Sequence, residues 1–404
     1  MMPERRRAVT RAEDSTVRIA GPSAGPTFTR AVLEVAGAVL TWPVLGPAGF
    51  PAAEIHDVGQ AQQWLWAVYG EPVATAVDAV ASGAPAAEPT LPERPSSLAE
   101  AAARLALGHW VARWWPTSHL DGIPAPEPDL LGLELAALTY ECQQLLDESG
   151  ELEGSELLQE HLVALGPLIR WRQSAAPPRR LDRVLRLIDD AADNAGLDGE
   201  ALRRLRSALE RDDHEPTATP LDLADIFVRR QEFALAAGSP RTATRRVIAR
   251  GSGTNDWCRC PPGFVDAAED AVSWSVYALG AARRIEVEVV ADVAAPVGGV
   301  HLVAEVHVDG GHPNRVPLAR RDDVWTGRAD LDIPASTAPS VEVGILLPGF
   351  DPGPGTDDRA AREAVRALAR HRLGVAAAPH DSGAAHPDPF LAEIAAAAAV
   401  EEDF

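Results

Sequence analysis

The chain has 404 residues, more than one hydrophobic core usually holds, and its 34 Pro and 32 Gly assign much of it to turns and connections. With 37 basic against 59 acidic residues the formal charge is -22, which repels a phosphate backbone and argues against a nucleic-acid partner. Every basic side chain is arginine, so there is no lysine for a Walker A loop, a kinase ATP site or a Schiff base.

Residues 1–26 are polar, mixed in charge and broken by Gly and Pro, and read as a disordered leader. No apolar run follows the early arginines, so they do not form a secretory signal. The best candidate for a membrane span, Ala31 to Leu40, is too short to cross a bilayer and contains Glu34. These features predict a cytoplasmic protein with no membrane partner. The richness in Ala, Arg, Gly and Pro fits a high-GC bacterial genome.

Residues 27–237 read as a mainly helical, bundle-like domain. Arg30 to Leu45 is enriched in Val, Leu and Thr and reads as two short strands hinged at Gly37. Helices then fit Asp57 to Tyr69 and Pro72 to Ala81, followed by a linker from Gly83 to Pro95. The strongest helical signal is Leu98 to Pro116. Ser96 and Ser97 are placed to cap it and Pro116 stops it; Trp110 and Trp114, with Leu107, Val111 and Trp115, form two adjacent rows on one face. That stripe predicts a core, with His109 at its edge. The next helix, Asp129 to Leu146, carries Leu131, Leu135, Leu138, Cys142 and Leu145 in a regular seam. Further amphipathic helices fit Ser155 to Arg172, Arg180 to Ala195, Gly199 to Arg211 and Pro220 to Ala237.

Residues 238–256 form a basic linker with Arg241, Arg245, Arg246 and Arg250. From Trp257 the period changes to two: Val272, Trp274 and Val276; Ile285, Val287 and Val289; Leu302, Ala304, Val306 and Val308 each alternate with polar residues. Shorter strands fit Arg315 to Ala319, Val324 to Leu331 and Val341 to Leu347, with Asp309-Gly310-Gly311 as a hairpin turn. This predicts an antiparallel, sandwich-like domain over 257–373, closed by a helix from Asp357 to Leu373. The fold class expected is therefore α+β in two domains. Residues 374–404 read as a flexible tail in which Phe390, Leu391 and Ile394 line one side of a short docking helix.

Several residue sets carry the right atoms for chemistry. Gly21 to Gly25 matches the G-x-S-x-G pattern around Ser23, but Pro26 follows where that motif requires a helix. Ser118, His119 and Asp121 are the residue types of a hydrolytic triad, but adjacency in sequence is not triad geometry. Glu305 and His307, with His312 across the hairpin, are metal-ligand types, as are Asp351, Asp357 and Asp358 in the loop after Leu347. Cys258 and Cys260 lack the C-x2-C spacing and second pair of a zinc site, and the odd total of three cysteines builds no disulfide framework. With no assembled catalytic set, the sequence predicts no cofactor and a non-enzymatic adaptor or scaffold subunit of a multi-protein bacterial system. It would bind protein partners through its helical domain, its tail (Phe390, Leu391, Ile394) and its basic linker (Arg245, Arg246). The alternatives are a metal-assisted hydrolase and a small-molecule or peptide-binding module.

Overall fold

A computed structural model describes residues 6–21, 25–46, 49–174, 177–211, 246–280, 282–292, 295, 299–332, 339–350, 358–378 and 388–401. It is a mixed helix and sheet protein, α+β, whose three sheets are all antiparallel. The helix expected over Pro220 to Ala237 lies outside the described residues.

The first sheet has the order β1-β2-β5-β4-β3, formed by β1 (Val9–Arg11), β2 (Val17–Ile19), β3 (Arg30–Val35), β4 (Ala38–Pro43) and β5 (Ala52–Ile55). The leader reading is thus corrected from residue 9 onward, because Val9, Val17 and Ile19 are buried in the sheet core. The expected hinge is present: Gly37, at φ 76°, turns β3 into β4.

Helices follow: α1 (Val58–Ala61), α2 (Leu65–Tyr69), α3 (Glu71–Ala81), α4 (Ser97–Trp114), α5 (Pro128–Glu141), α6 (Glu148–His161), α7 (Leu165–Arg172), α8 (Leu181–Asn194) and α9 (Glu200–Glu210). The Ser96 hydroxyl caps α4 by accepting from Ala99 N at 3.1 Å. Helix α4 lies between the first sheet and α5, and its tryptophans are core: Trp110, Trp114 and Trp115 are buried, with indole N–H groups of Trp110 and Trp115 donating to Phe28 O and Pro124 O. Every residue from Leu130 to Thr139 of α5 is buried, so this helix is enclosed on all sides. Gly132 is the point where α6 comes close, and a Cβ there would overlap the His161 ring, which Asp129 holds at 3.0 Å. Gly132→Ala is expected to cost about 1–3 kcal/mol, read as a lower urea midpoint at unchanged slope.

The remaining strands are β6 (Arg246–Gly253), β7 (Val272–Leu279), β8 (Ala282–Val290), β9 (Val303–Val308), β10 (Asn314–Pro317), β11 (Ala319–Arg321), β12 (Val324–Leu331) and β13 (Val341–Leu346). They form a five-stranded sheet β11-β12-β8-β7-β6 and a three-stranded sheet β10-β9-β13. Val272, Val276, Ile285, Val287 and Val289 from the first and Ala304, Val306 and Ile345 from the second share one core, as the alternation predicts. Asp309 and Gly310, both with positive φ, make the β9-β10 turn.

Two C-terminal helices complete the chain, α10 (Arg359–Ala377) and α11 (Leu391–Glu401). The expectation that the first of these closes the β-rich part is corrected. Val365 and Ala369 of α10, and Phe390 to Ala392 with Ala395 of the α11 segment, belong to the same core as the N-terminal sheet and α5. The ion pairs of α10 reach instead to the segment before β7, so the helix is shared with the β-rich part: Arg362 and Arg366, both buried, meet Glu269, and Arg366 also donates to Ala267 O. Helix α10 also runs through Gly374 to Ala377, past the expected start of a flexible tail. Among the described residues no helix is long and apolar enough to cross a membrane.

Candidate functional site

Among the described residues singled out for catalysis or metal binding, Glu305 and His307 come together, with His307 Nε2 3.8 Å from Glu305 Oε2, and the others are engaged elsewhere. The Ser118 hydroxyl donates to Asp266 at 2.6 Å, and the same carboxylate accepts from the amides of His119, Leu120 and Ala268, so it fastens the loop after α4 to the segment before β7. Asp121 instead pairs with Arg366 and Arg370. Glu305 is held by Arg259, with Arg315 at 3.7 Å, and these guanidinium groups keep its carboxyl below the usual range. Cations already surround Glu305, a poor setting for a metal ion. His307 Nδ1 lies 3.2 Å from Gly311 O, and His312 is exposed. Asp358 caps α10 by accepting from Ala360 N at 2.9 Å, while Asp351, Asp357 and Ser23 lie outside the described residues. Cys258 and Cys260 are buried, and burial pushes the Cys260 thiol up to about 12. Among the described residues no three His, Cys, Asp or Glu side chains stand together as a metal set.

The residues expected to bind partners are placed differently. Arg246 is exposed at the start of β6, and Arg245 lies outside the described residues. Phe390 and Leu391 are completely buried and Ile394 half-buried, but the surface that covers them is the chain's own.

This docked segment is held by a dense polar frame. Phe390 immediately precedes α11 and Glu393 sits three residues on; the Glu393 carboxylate reaches back to accept from Phe390 N at 2.6 Å, the reciprocal half of a capping box. The same carboxylate takes both Nε and Nη2 of Arg372 at 2.6 and 2.7 Å, a bidentate pair with both partners buried. From the opposite side Glu134 of α5 accepts from Leu391 N at 2.5 Å and Ala392 N at 3.4 Å, placing a carboxyl group on the positive end of the helix. Arg104 of α4 donates to Asp388 O and Pro389 O, and Arg180, just before α8, donates to Pro389 O. The Phe390 ring lies between Arg104, 4.3 Å from its centroid, and Arg372, at 5.7 Å. Gly108 lies against this ring, and a Cβ there would clash with Leu135 at 2.5 Å while only touching Phe390 at 3.4 Å.

Beside this frame opens a cavity of about 630 Å³. Its walls are apolar, with Trp42 from β4, Leu107 from α4, Leu138 from α5 and Val184 and Leu187 from α8; Arg104, Glu134, Arg180 and Arg372 form one end. Glu134 is 1% exposed, and its Oε1 lies 3.8 Å from Nη2 of both Arg104 and Arg180. Burial raises its carboxyl to about 7 against the pull of Arg104 and of the Leu391 and Ala392 amides, while Glu393 raises it further.

A folded pKa above the unfolded one means that the folded state binds the proton more tightly. The stabilisation from Glu134 is therefore fully present below pH about 4.5 and lost as pH rises through about 7. Wild type is expected to lose melting temperature between pH 5 and 8.5 relative to Glu134→Gln, whose amide does not titrate. Thermal denaturation of the two proteins across that range checks the sign.

Sequence reasoning missed Glu134, Arg104, Arg180, Arg372 and Glu393. Two signals were present. Glu134 stands three residues after Leu131 and four before Leu138, a carboxyl group inside an apolar face, and Phe390 to Glu393 has capping-box spacing. Compared with known proteins, the chain matches no family model, no curated protein and no solved structure.

Proposed function

We propose that this chain is a non-enzymatic adaptor whose docking groove, formed by α4, α5, α10 and the start of α8, is held by its own C-terminal segment until a partner segment replaces it. The observation that supports the reading is the form of the contact. Residues 388–393 are gripped as a bound peptide is, through main-chain carbonyls, a helix N-terminus and one aromatic anchor. The partner class is a protein segment of the same chemistry, a proline turn leading into a helix that starts Phe-Leu-x-Glu. The sequence expectation of a docking tail is kept, with its first receptor being the chain itself. The cytoplasmic, adaptor and two-domain expectations belong to the same proposal.

The test uses full-length protein and a synthetic peptide of residues 386–401. Phe390→Ala removes the anchor from the resident segment and leaves the groove intact. The peptide is expected to bind the variant at least about 30-fold more tightly than wild type by fluorescence anisotropy, because no strong competitor remains. Failure to bind either protein, or equal binding to both, would remove the exchange reading.

A further inference from the structure

Several elements converge on the cavity beside the docked segment, and three of them leave a leucine half-buried there: Leu107 of α4, Leu187 of α8 and Leu368 of α10. With them stand the buried Trp42 of β4, Leu138 of α5 and Val184 of α8. A leucine left in part against water forfeits part of its transfer energy, so an apolar occupant that covers all three is favoured. The volume of about 630 Å³ lies within the range of about 300–1,000 Å³ usual for small-molecule sites.

The charges of the lining decide what class of molecule that is. Four arginines, Arg104, Arg180, Arg183 and Arg372, stand with four carboxylates, Glu100, Glu134, Glu141 and Asp388, so the lining is formally neutral. Each arginine is already engaged: Arg372 with Glu393, Arg183 with Glu141, and Arg104 and Arg180 with the carbonyls of Asp388 and Pro389. Glu134 is engaged too, accepting from the amides of Leu391 and Ala392, while Glu100 and Asp388 are exposed to water. An anion entering the cavity meets exposed carboxylates and guanidinium groups that are already spent, and a cation meets the four guanidinium groups. An ion of either sign would give up hydration for no matching charge, a cost that an uncharged molecule escapes.

We propose that this cavity binds an uncharged apolar molecule, an aliphatic chain with at most a neutral polar head, its chain against Leu107, Leu187, Leu368 and Trp42. The inference is independent of whether a partner ever displaces the C-terminal segment.

Isothermal titration calorimetry on the full-length protein at pH 7.5 tests it, with octan-1-ol, octanoate and octylamine as probes. Octan-1-ol is expected to bind one to one, at least about fivefold more tightly than either ion. Shortening it to heptan-1-ol and hexan-1-ol should weaken binding about fourfold per methylene, as expected for a chain taken out of water. Leu187→Trp, which enlarges a side chain of the lining, should weaken octan-1-ol at least about tenfold. Trp66→Ala, at an exposed ring outside the lining, should leave it unchanged. No saturable heat with octan-1-ol, either ion binding as tightly, or equal affinities for the three alcohols would overturn the proposal. Unchanged binding in folded Leu187→Trp would place the alcohol elsewhere and overturn it as well; if that variant does not fold, Leu368→Trp on a different helix takes its place.

Discussion

Glu393→Ala is expected to free the α11 segment from the body of the protein. The substitution leaves Arg372, 5% exposed, as a buried charge without its bidentate partner, and it strips Phe390 N of its acceptor. Breaking a buried pair in this way costs about 3–5 kcal/mol, chiefly through the orphaned charge. The loss is bounded by the free energy of docking itself, since the chain can release α11 and let water reach Arg372. The readout is therefore local: amide exchange at residues 391–397 should accelerate by a hundredfold or more while the strands of the sandwich-like core keep their protection. The double variant Arg372→Leu with Glu393→Leu removes both charges at once and should retain much of the docking. A single variant as well protected as wild type would show that the pair contributes nothing.

The second large effect is expected from Trp114→Ala. The Trp114 ring packs on Phe28 at 6.2 Å and edge-on against Phe350 at 6.1 Å, and Phe28 continues to Trp257 at 5.2 Å. Trp114 thus joins α4 to the segment before β3 and to the segment after β13, and through Phe28 to Trp257 after β6. Deleting a buried aromatic of this size costs about 3–5 kcal/mol through lost transfer energy and the cavity left behind. Trp66 provides the control, because it is 60% exposed, and Trp66→Ala should stay within about 0.5 kcal/mol of wild type. Urea denaturation followed by circular dichroism separates the two; a Trp114→Ala midpoint equal to that of Trp66→Ala would mean that the cluster is not a structural joint.

The parts of this fold legible in the sequence are those in which one periodic pattern runs long enough to be read. Alternation at 272–276 and 285–289 identified strands and their inward faces, and the Trp110/Trp114 rows identified a buried helix face. Strands β1 and β2 escaped because three residues each cannot show a period; their assignment depends on pairing across the sheet, Val17 with both Arg11 and Ile55. The destination of α10 escaped for another reason. Its buried face includes Arg362, Arg366 and Arg372, and an arginine reads as solvated until its carboxylate partners, Glu269 and Glu393, are placed beside it. The candidate site was hidden in the same way, since Glu134 and Arg104 are far apart in sequence from the segment they hold.

Ten residues of sequence, 378–387, join α10 to the docked segment, and under the proposed exchange this covalent connection sets a threshold for anything that competes with it. A covalent connection of this length would give a released segment an effective concentration on the order of millimolar, whatever the concentration of the protein. A free segment of equal intrinsic affinity, at about 10 µM, would then be weakened roughly a hundredfold in apparent affinity. Only a partner delivered at high local concentration, or one carrying a second contact elsewhere on the surface, would displace it. Under the proposed exchange the covalent link would favour partners that arrive multivalently over stray sequences that share the motif.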